Sequence, residues 1–167
     1  VDLPIVGDVR NVLRDLLPLV RPATHAEWMA TIDTWRCDTR ERDILWKDID
    51  ELLPQYVVRS IWEATHGEAL MVSDVGQNQM WEAQYYLHCR PRGLITSGGL
   101  GTMGYGLPAA MGAAVGCPDA NVWVVAGDGG FQMTLQELAT VVQESLPIKM
   151  AILNNGYLGM VRQWQEM

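Results

Sequence analysis

Two short polar clusters in this 167-residue sequence carry residue types able to hold a charged ligand: Gly127-Asp128-Gly129-Gly130 and, separated from Gly129 by 24 residues, Asn154-Asn155. Asp128 offers a hard anionic oxygen and Asn155 a neutral amide oxygen, while Gly129 and Gly130 leave backbone N–H groups open toward a diphosphate near a helix start. That donor set suits magnesium, which holds octahedral oxygen geometry, takes one or two carboxylates and completes its shell with phosphate and water. Each cluster alone is also an ordinary Asp-Gly or Asn-Gly turn; their placement at neighbouring strand ends is what favours ligation. Two more polar segments share that placement, Asp74-Val75-Gly76-Gln77-Asn78-Gln79 and Ser97-Gly98-Gly99-Leu100-Gly101-Thr102-Met103-Gly104. The second contains GxGxxG, which admits a dinucleotide loop or a purely structural role in close helix–strand packing. The strand after it ends in another glycine cluster, which weakens the dinucleotide reading.

The elements that must present these clusters alternate from Pro54 onward. Helices are predicted over Gln55–His66, Gln79–Tyr86, Met103–Gly116 and Leu135–Ser145, and strands over Ala69–Ser73, Leu94–Thr96, Asn121–Ala126 and Ile148–Leu153. Thr134-Leu135-Gln136-Glu137 has the capping-box form and predicts a helix start. Alternation of this kind predicts an α/β fold, a parallel sheet flanked by helices on both faces, with ligands beyond the carboxyl ends of the strands. Upstream, Pro4–Asp8 predicts a strand entering a helix whose apolar positions are Val9, Val12, Leu13, Leu16, Leu17 and Val20. A helix over His25–Trp35 and a charge-rich stretch over Cys37–Asp50 follow, and residues 21–53 are read as an interdomain connector. Leu158–Met167 predicts an amphipathic helix with no stop signal, and the chain is read as a piece of a longer protein.

Composition removes several function classes. With 12 Lys+Arg against 20 Asp+Glu the net charge is −8, and no run of basic residues supplies the phosphate-backbone attraction that nucleic-acid binding needs. The uncharged stretch Leu94–Pro118 is too interrupted by glycine and proline to make a membrane span of about 20 residues. Cys37, Cys89 and Cys117 are odd in number and far apart, and His25, His66 and His88 lack metal-ligand spacing. Those features point to a reducing, cytoplasmic compartment and away from a disulfide framework or a zinc cage.

Gly127-Asp128-Gly129 followed at this spacing by Asn154-Asn155 resembles the signature of thiamine-diphosphate enzymes. Val75-Gly76-Gln77-Asn78-Gln79-Met80-Trp81, Ser97–Gly104 and Leu158-Gly159-Met160-Val161-Arg162-Gln163-Trp164 are similar to segments of the large catalytic subunit of acetolactate synthases. The resemblance covers Pro54 to the end, and residues 4–20 are similar to the last strand and helix of that family's central domain. It implies a domain order of 1–20 as the end of the central domain, 21–53 as connector and 54–167 as a truncated diphosphate-binding domain. It also implies decarboxylation of pyruvate and condensation with a second 2-ketoacid such as 2-ketobutyrate, in branched-chain amino-acid biosynthesis. Other 2-ketoacid carboligases, oxidases and decarboxylases, or a non-catalytic module of the same fold, are the alternatives.

Residue by residue, the resemblance implies that Asp128, the Asn155 side chain and the Tyr157 carbonyl ligate magnesium. Gln77, Asn78, Gly129 and Gly130 would surround the diphosphate, with Val75 and Gly76 in the same cofactor-binding set. Gly101 and Met103 would meet the aminopyrimidine, Met80 would wedge the cofactor into its bent form, and Leu158, Gly159 and Met160 would line the thiazolium side. Trp164 would lie over the substrate and favour 2-ketobutyrate. The sequence departs from the family at Asn78, usually His, and at Gly130, often Ser. The family's activating Glu belongs to a separate pyrimidine-binding domain in a partner subunit of a dimer or tetramer, and nothing here resembles that domain. Most of the central domain that binds FAD in the family is likewise absent, a regulatory subunit is a possible partner of the whole protein, and the chain alone is expected to be inactive.

Overall fold

The computed structural model describes residues 2–42 and 50–167. Contacts divide the chain into two units, Val1–Trp46 and Lys47–Met167. In the first, helix α1 spans Val9–Leu16 and is capped by Asp8, whose Oδ1 accepts from Asn11 N at 3.2 Å. A 3-10 turn at Leu17–Leu19 follows, with Pro18 at its start, and helix α2 spans Ala26–Arg42. Two expectations are corrected here. Pro4–Asp8 forms no strand, because no described segment of the unit offers its backbone a pairing partner, and Ile5 and Val6 are exposed. The helix expected to end at Trp35 continues to Arg42 through residues that include strong helix formers such as Arg and Glu, so the start of the supposed connector is helical.

In the second unit helix α3 (Pro54–Thr65) precedes strand β1 (Leu70–Ser73), helix α4 (Gln77–Tyr85) and strand β2 (Leu94–Thr96). Helix α5 (Gly106–Gly116), strand β3 (Val122–Gly127), helix α6 (Asp128–Thr134), helix α7 (Leu138–Gln143), strand β4 (Lys149–Leu153) and helix α8 (Gly159–Glu166) complete it. The four strands are all parallel in the order β2-β1-β3-β4, with Val72 opposite Ile95 and Val124. This is the α/β architecture expected from the alternation.

Residues of period two send each strand's side chains to two cores. Leu70, Val72, Val122, Val124 and Ala126 pack with Ala110, Ala113 and Ala114 of α5, whose small side chains let the helix approach closely. Met71 and Val125 point the other way, onto Val58 and Ile61 of α3 and Tyr86 just after α4. Helical cover on both faces leaves β1 buried at all four positions.

Local boundaries differ from expectation where long-range contacts decide them. The glycine cluster at 127–130 is not a loop: Asp128 opens α6, which runs to Thr134. The capping box at Thr134 does not form, since its Oγ1 instead donates to the Gly104 carbonyl at 3.1 Å. A 3-10 turn over Leu135–Glu137 then leads into the shorter α7. Helix α4 starts at Gln77, two residues early, which puts Gln77 and Asn78 in its first turn.

Candidate functional site

Because β1 lies between β2 and β3, the chain turns outward in opposite directions at β1 and β3, and a crevice opens where their carboxyl ends part. Asp74, the first residue beyond β1, is the keystone there. Only 1% exposed, its Oδ1 accepts from Val75 N at 2.6 Å and Gly104 N at 3.1 Å, and its Oδ2 from Gly106 N at 2.9 Å. Charge-assisted bonds to three backbone donors fix the turn ahead of α5 against the end of β1. Gly104 holds φ +84°, and a Cβ on it would stand 3.0 Å from Met133 Cβ, so glycine is required at that close approach. A Cβ at Gly130 would stand 2.6 Å from Asp74 Oδ1. A side chain at 130 would therefore press on the carboxylate of Asp74, so the glycine fits this placement of the acid.

Gly76, at φ +134°, turns the chain from β1 into α4. Asn78 is 3% exposed and donates to the Val125 carbonyl at 3.3 Å, seating α4 against β3. Gln79 donates to Thr96 Oγ1 at 2.8 Å, tying the same helix to the end of β2. Gln77 reaches the other way: its Oε1 accepts from Asn155 Nδ2 at 3.4 Å and its Nε2 donates to Gln163 Oε1 at 3.2 Å. After β4, Asn154 and Asn155 each accept from a backbone N–H two residues on, those of Gly156 and Tyr157, both at 3.0 Å. Arg162 lies 4.1 Å over the Tyr157 ring and pairs with Glu166 at 2.6 Å, bracing this turn from α8.

These segments enclose a cleft of about 350 Å³. Its walls include every residue singled out from the sequence except Trp164: Val75 to Asn78 and Met80, then Gly101 and Met103, Asp128 to Gly130, Asn155, and Tyr157 to Met160. Gln79, Trp81, Gly127, Leu153 and Val161 also line it, without having been singled out. Trp164 lies outside that lining on α8, 71% exposed. Asp128 is half-buried at the start of α6, and no hydrogen bond or ion pair engages its carboxylate among the described residues. A carboxyl group without a protein partner at Asp128, an amide oxygen at Asn155 and a carbonyl at Tyr157 make an all-oxygen donor set that fits a hard divalent cation. At Gly129 a Cβ would stand 2.7 Å from Leu158 Cδ2, so a side chain there would push the Leu158 tip aside in the cleft wall.

Sequence reasoning did not single out Asp74, Gln163 or Glu82. Asp74 stood in view at a strand end, but its partners lie some thirty residues further on. Glu82 is buried on α4, 1% exposed, with His88 Nε2 2.7 Å from its Oε1. No donor reaches either carboxylate oxygen among the described residues, and desolvation pushes its pKa up from 4.5 to about 7. Desolvation also lowers the pKa of His88. Burial thus favours the uncharged form of both groups in this pair.

The fold and its cleft define a doubly wound parallel α/β ligand-binding domain, open at the topological switch point. Residues 74–167 match the family "Thiamine pyrophosphate enzyme, C-terminal TPP binding domain", and the chain belongs to that family. Among curated relatives it is 46% identical over 175 residues to the acetolactate synthase isozyme 3 large subunit of Escherichia coli (strain K12), covering 99% of this chain and 30% of that protein. An acetolactate synthase of Mycobacterium bovis is 45% identical over 172 residues, covering 99% and 28%. The acetolactate synthase large subunit of Lactococcus lactis subsp. lactis is 46% identical over 167 residues, again covering 99% and 28%. The chain thus spans about 30% of the length of the relatives it matches. Among the described residues no helix is long and apolar enough to cross a membrane.

Proposed function

We propose that this chain provides the diphosphate- and magnesium-binding half of the active site of an acetolactate synthase catalytic subunit. The observation that carries this reading is the partnerless carboxylate of Asp128 lining one switch-point cleft with Asn155 and Tyr157. Asp128, Asn155 Oδ1 and the Tyr157 carbonyl hold magnesium, and the backbone around Gly129 and Gly130 takes the diphosphate. Gly101 and Met103 meet the pyrimidine side, Met80 supports the bent cofactor, and Leu158 to Met160 close the thiazolium side. Bound thiamine diphosphate supplies the electron sink for decarboxylating pyruvate and passing two carbons to a second 2-ketoacid. The cleft is lined mainly by apolar side chains, with Met80, Tyr157 and Leu158 exposed at its rim. The activating acid would come from another domain, so the complete site would need a second subunit, in a dimer or tetramer. Exposed, unpaired Cys37, Cys89 and Cys117 suit a reducing cytoplasmic setting.

The test is a calorimetric titration of thiamine diphosphate into the chain with magnesium, repeated with excess chelator and with Asp128→Ala. Binding that disappears with chelator and in the variant is expected. Binding indifferent to both overturns the reading, as does no magnesium-dependent binding by the complete catalytic subunit.

A further inference from the structure

Asn155 presents two chemically opposite ends, an oxygen that can ligate a cation and an NH2 that repels one, and something must decide which end is turned to the ligand. The decision starts at a fixed point. Tyr157 N–H is a backbone donor, so the Asn155 atom 3.0 Å from it is the acceptor Oδ1. Nδ2 then faces Gln77 and requires an acceptor, which makes the Gln77 atom at 3.4 Å Oε1. Gln77 therefore offers Nε2 on its far side, to Oε1 of Gln163 at 3.2 Å. Each amide in the row has its orientation set by the one before, from the turn after β4 through α4 to α8.

The row also has a shaped seat. A Cβ at Gly159 would overlap Gln77 Oε1, lie 2.6 Å from Gln77 Cδ and lie 3.2 Å from Asn155 Nδ2. Glycine at 159 is what lets the Gln77 amide occupy the space between the two partners. Gln163 itself is outside the lining of the ligand cleft, while Gln77 and Asn155 are in it.

We propose that Gln163 is a positioning residue that, through Gln77, reinforces the orientation in which the Tyr157 N–H holds Asn155, with the Asn155 oxygen available to the cation of a magnesium–diphosphate ligand. This rests on the function proposed above. It predicts that what matters at position 163 is an acceptor, whatever its charge or bulk. Gln163→Glu keeps the acceptor and Gln163→Leu removes it. Gln163→Lys replaces it with a donor, forcing Gln77 to turn its oxygen toward α8 and its NH2 toward the NH2 of Asn155. Gln165→Lys, on the exposed part of the same helix, controls for added positive charge.

The experiment has two readouts on the whole chain. The first is the 15N side-chain amide signal of Asn155 without ligand, and the second is calorimetric titration with magnesium and thiamine diphosphate. Gln163→Glu and Gln165→Lys are expected to leave the Asn155 signal in place and the affinity near that of the parent chain. Gln163→Leu is expected to shift the signal and weaken binding roughly three- to tenfold, the worth of about one hydrogen bond, and Gln163→Lys to weaken it further. Gly159→Ala, which pushes Gln77 off its seat, is expected to shift the Asn155 signal as Gln163→Leu does. An Asn155 signal identical across Glu, Leu and Lys at 163 overturns the relay, as does equal affinity in all of them. Amide shifts as expected, with no magnesium-dependent binding even by the complete catalytic subunit, leave the relay standing and refute the proposed ligand.

Discussion

Glu82 gives the fold a stability that falls as the solution becomes more alkaline, and a one-atom change tests this. In an unfolded chain its carboxyl ionises at the ordinary 4.5, whereas in the folded chain burial holds the proton to about 7. Between those values the folded state binds the additional proton, so raising the pH draws the equilibrium toward unfolding. At 1.36 kcal/mol per pKa unit the interval corresponds to about 3 kcal/mol lost between pH 4.5 and 7, a large part of the net stability of an ordinary domain. Glutamine at this position preserves the volume and a donor toward His88 without an ionisable proton. Glu82→Gln is therefore expected to match the parent near pH 4.5 and to exceed it by about 3 kcal/mol near pH 8. His88 acts oppositely: its lowered pKa means stability present above its ordinary 6.5 and lost as the pH falls, and that slope remains in the variant. Urea unfolding followed by fluorescence of the half-buried Trp81 and Trp123, at half-unit steps of pH, measures the difference curve. Parallel curves for parent and variant would refute the claim that Glu82 is held neutral by burial.

Asp74→Asn replaces an acceptor of three backbone N–H bonds by a group that is half donor, and is expected to cost about 2–4 kcal/mol and to raise amide exchange at Gly104 and Gly106 first. Met71→Ala, at a position with no exposure between α3 and the sheet, is expected to lose about 2–5 kcal/mol in the same urea assay. In the complete catalytic subunit, Trp164→Leu is expected to move acceptor choice from 2-ketobutyrate toward pyruvate, read as the product ratio in a mixed-substrate assay; an unchanged ratio removes Trp164 from acceptor selection. The 167-residue chain alone is expected to make no acetolactate from pyruvate, and measurable product from a pure sample would refute the need for a second subunit.

The alternation of elements was legible because β1 and most of β3 are short apolar runs buried under helices on both faces, and α3 and α8 carry an apolar period. Its cleft was legible for a related reason: in such a sheet function gathers at the strand ends, and Gly, Asp and Asn there are conspicuous. What could not be read was whatever depends on partners distant in sequence. Thr134 has the local form of a helix cap, yet Gly104 claims its hydroxyl. The glycines after β3 look like a loop, yet they pack as helix against the carboxylate of Asp74. The strand expected at Pro4–Asp8 was apolar enough, but a strand needs a neighbour and the described residues provide none. Gln163 looked like one more polar residue on an amphipathic helix, and only its distance to Gln77 shows otherwise.

The pairing of Leu70 with Val122 across a long excursion of chain bears on how the molecule is made. Every wall of the cleft comes from a different stretch of sequence, and the Asp74 carboxylate joins its own segment to the distant turn at Gly104 and Gly106. Contacts of such long range form late and slowly, since loop closure must precede any return from the contacts themselves. The binding surface therefore has no local precursor: a nascent or partly folded chain offers no fragment of it able to capture ligand. Ligand arriving during folding selects finished molecules, and its binding protects them by mass action from reopening.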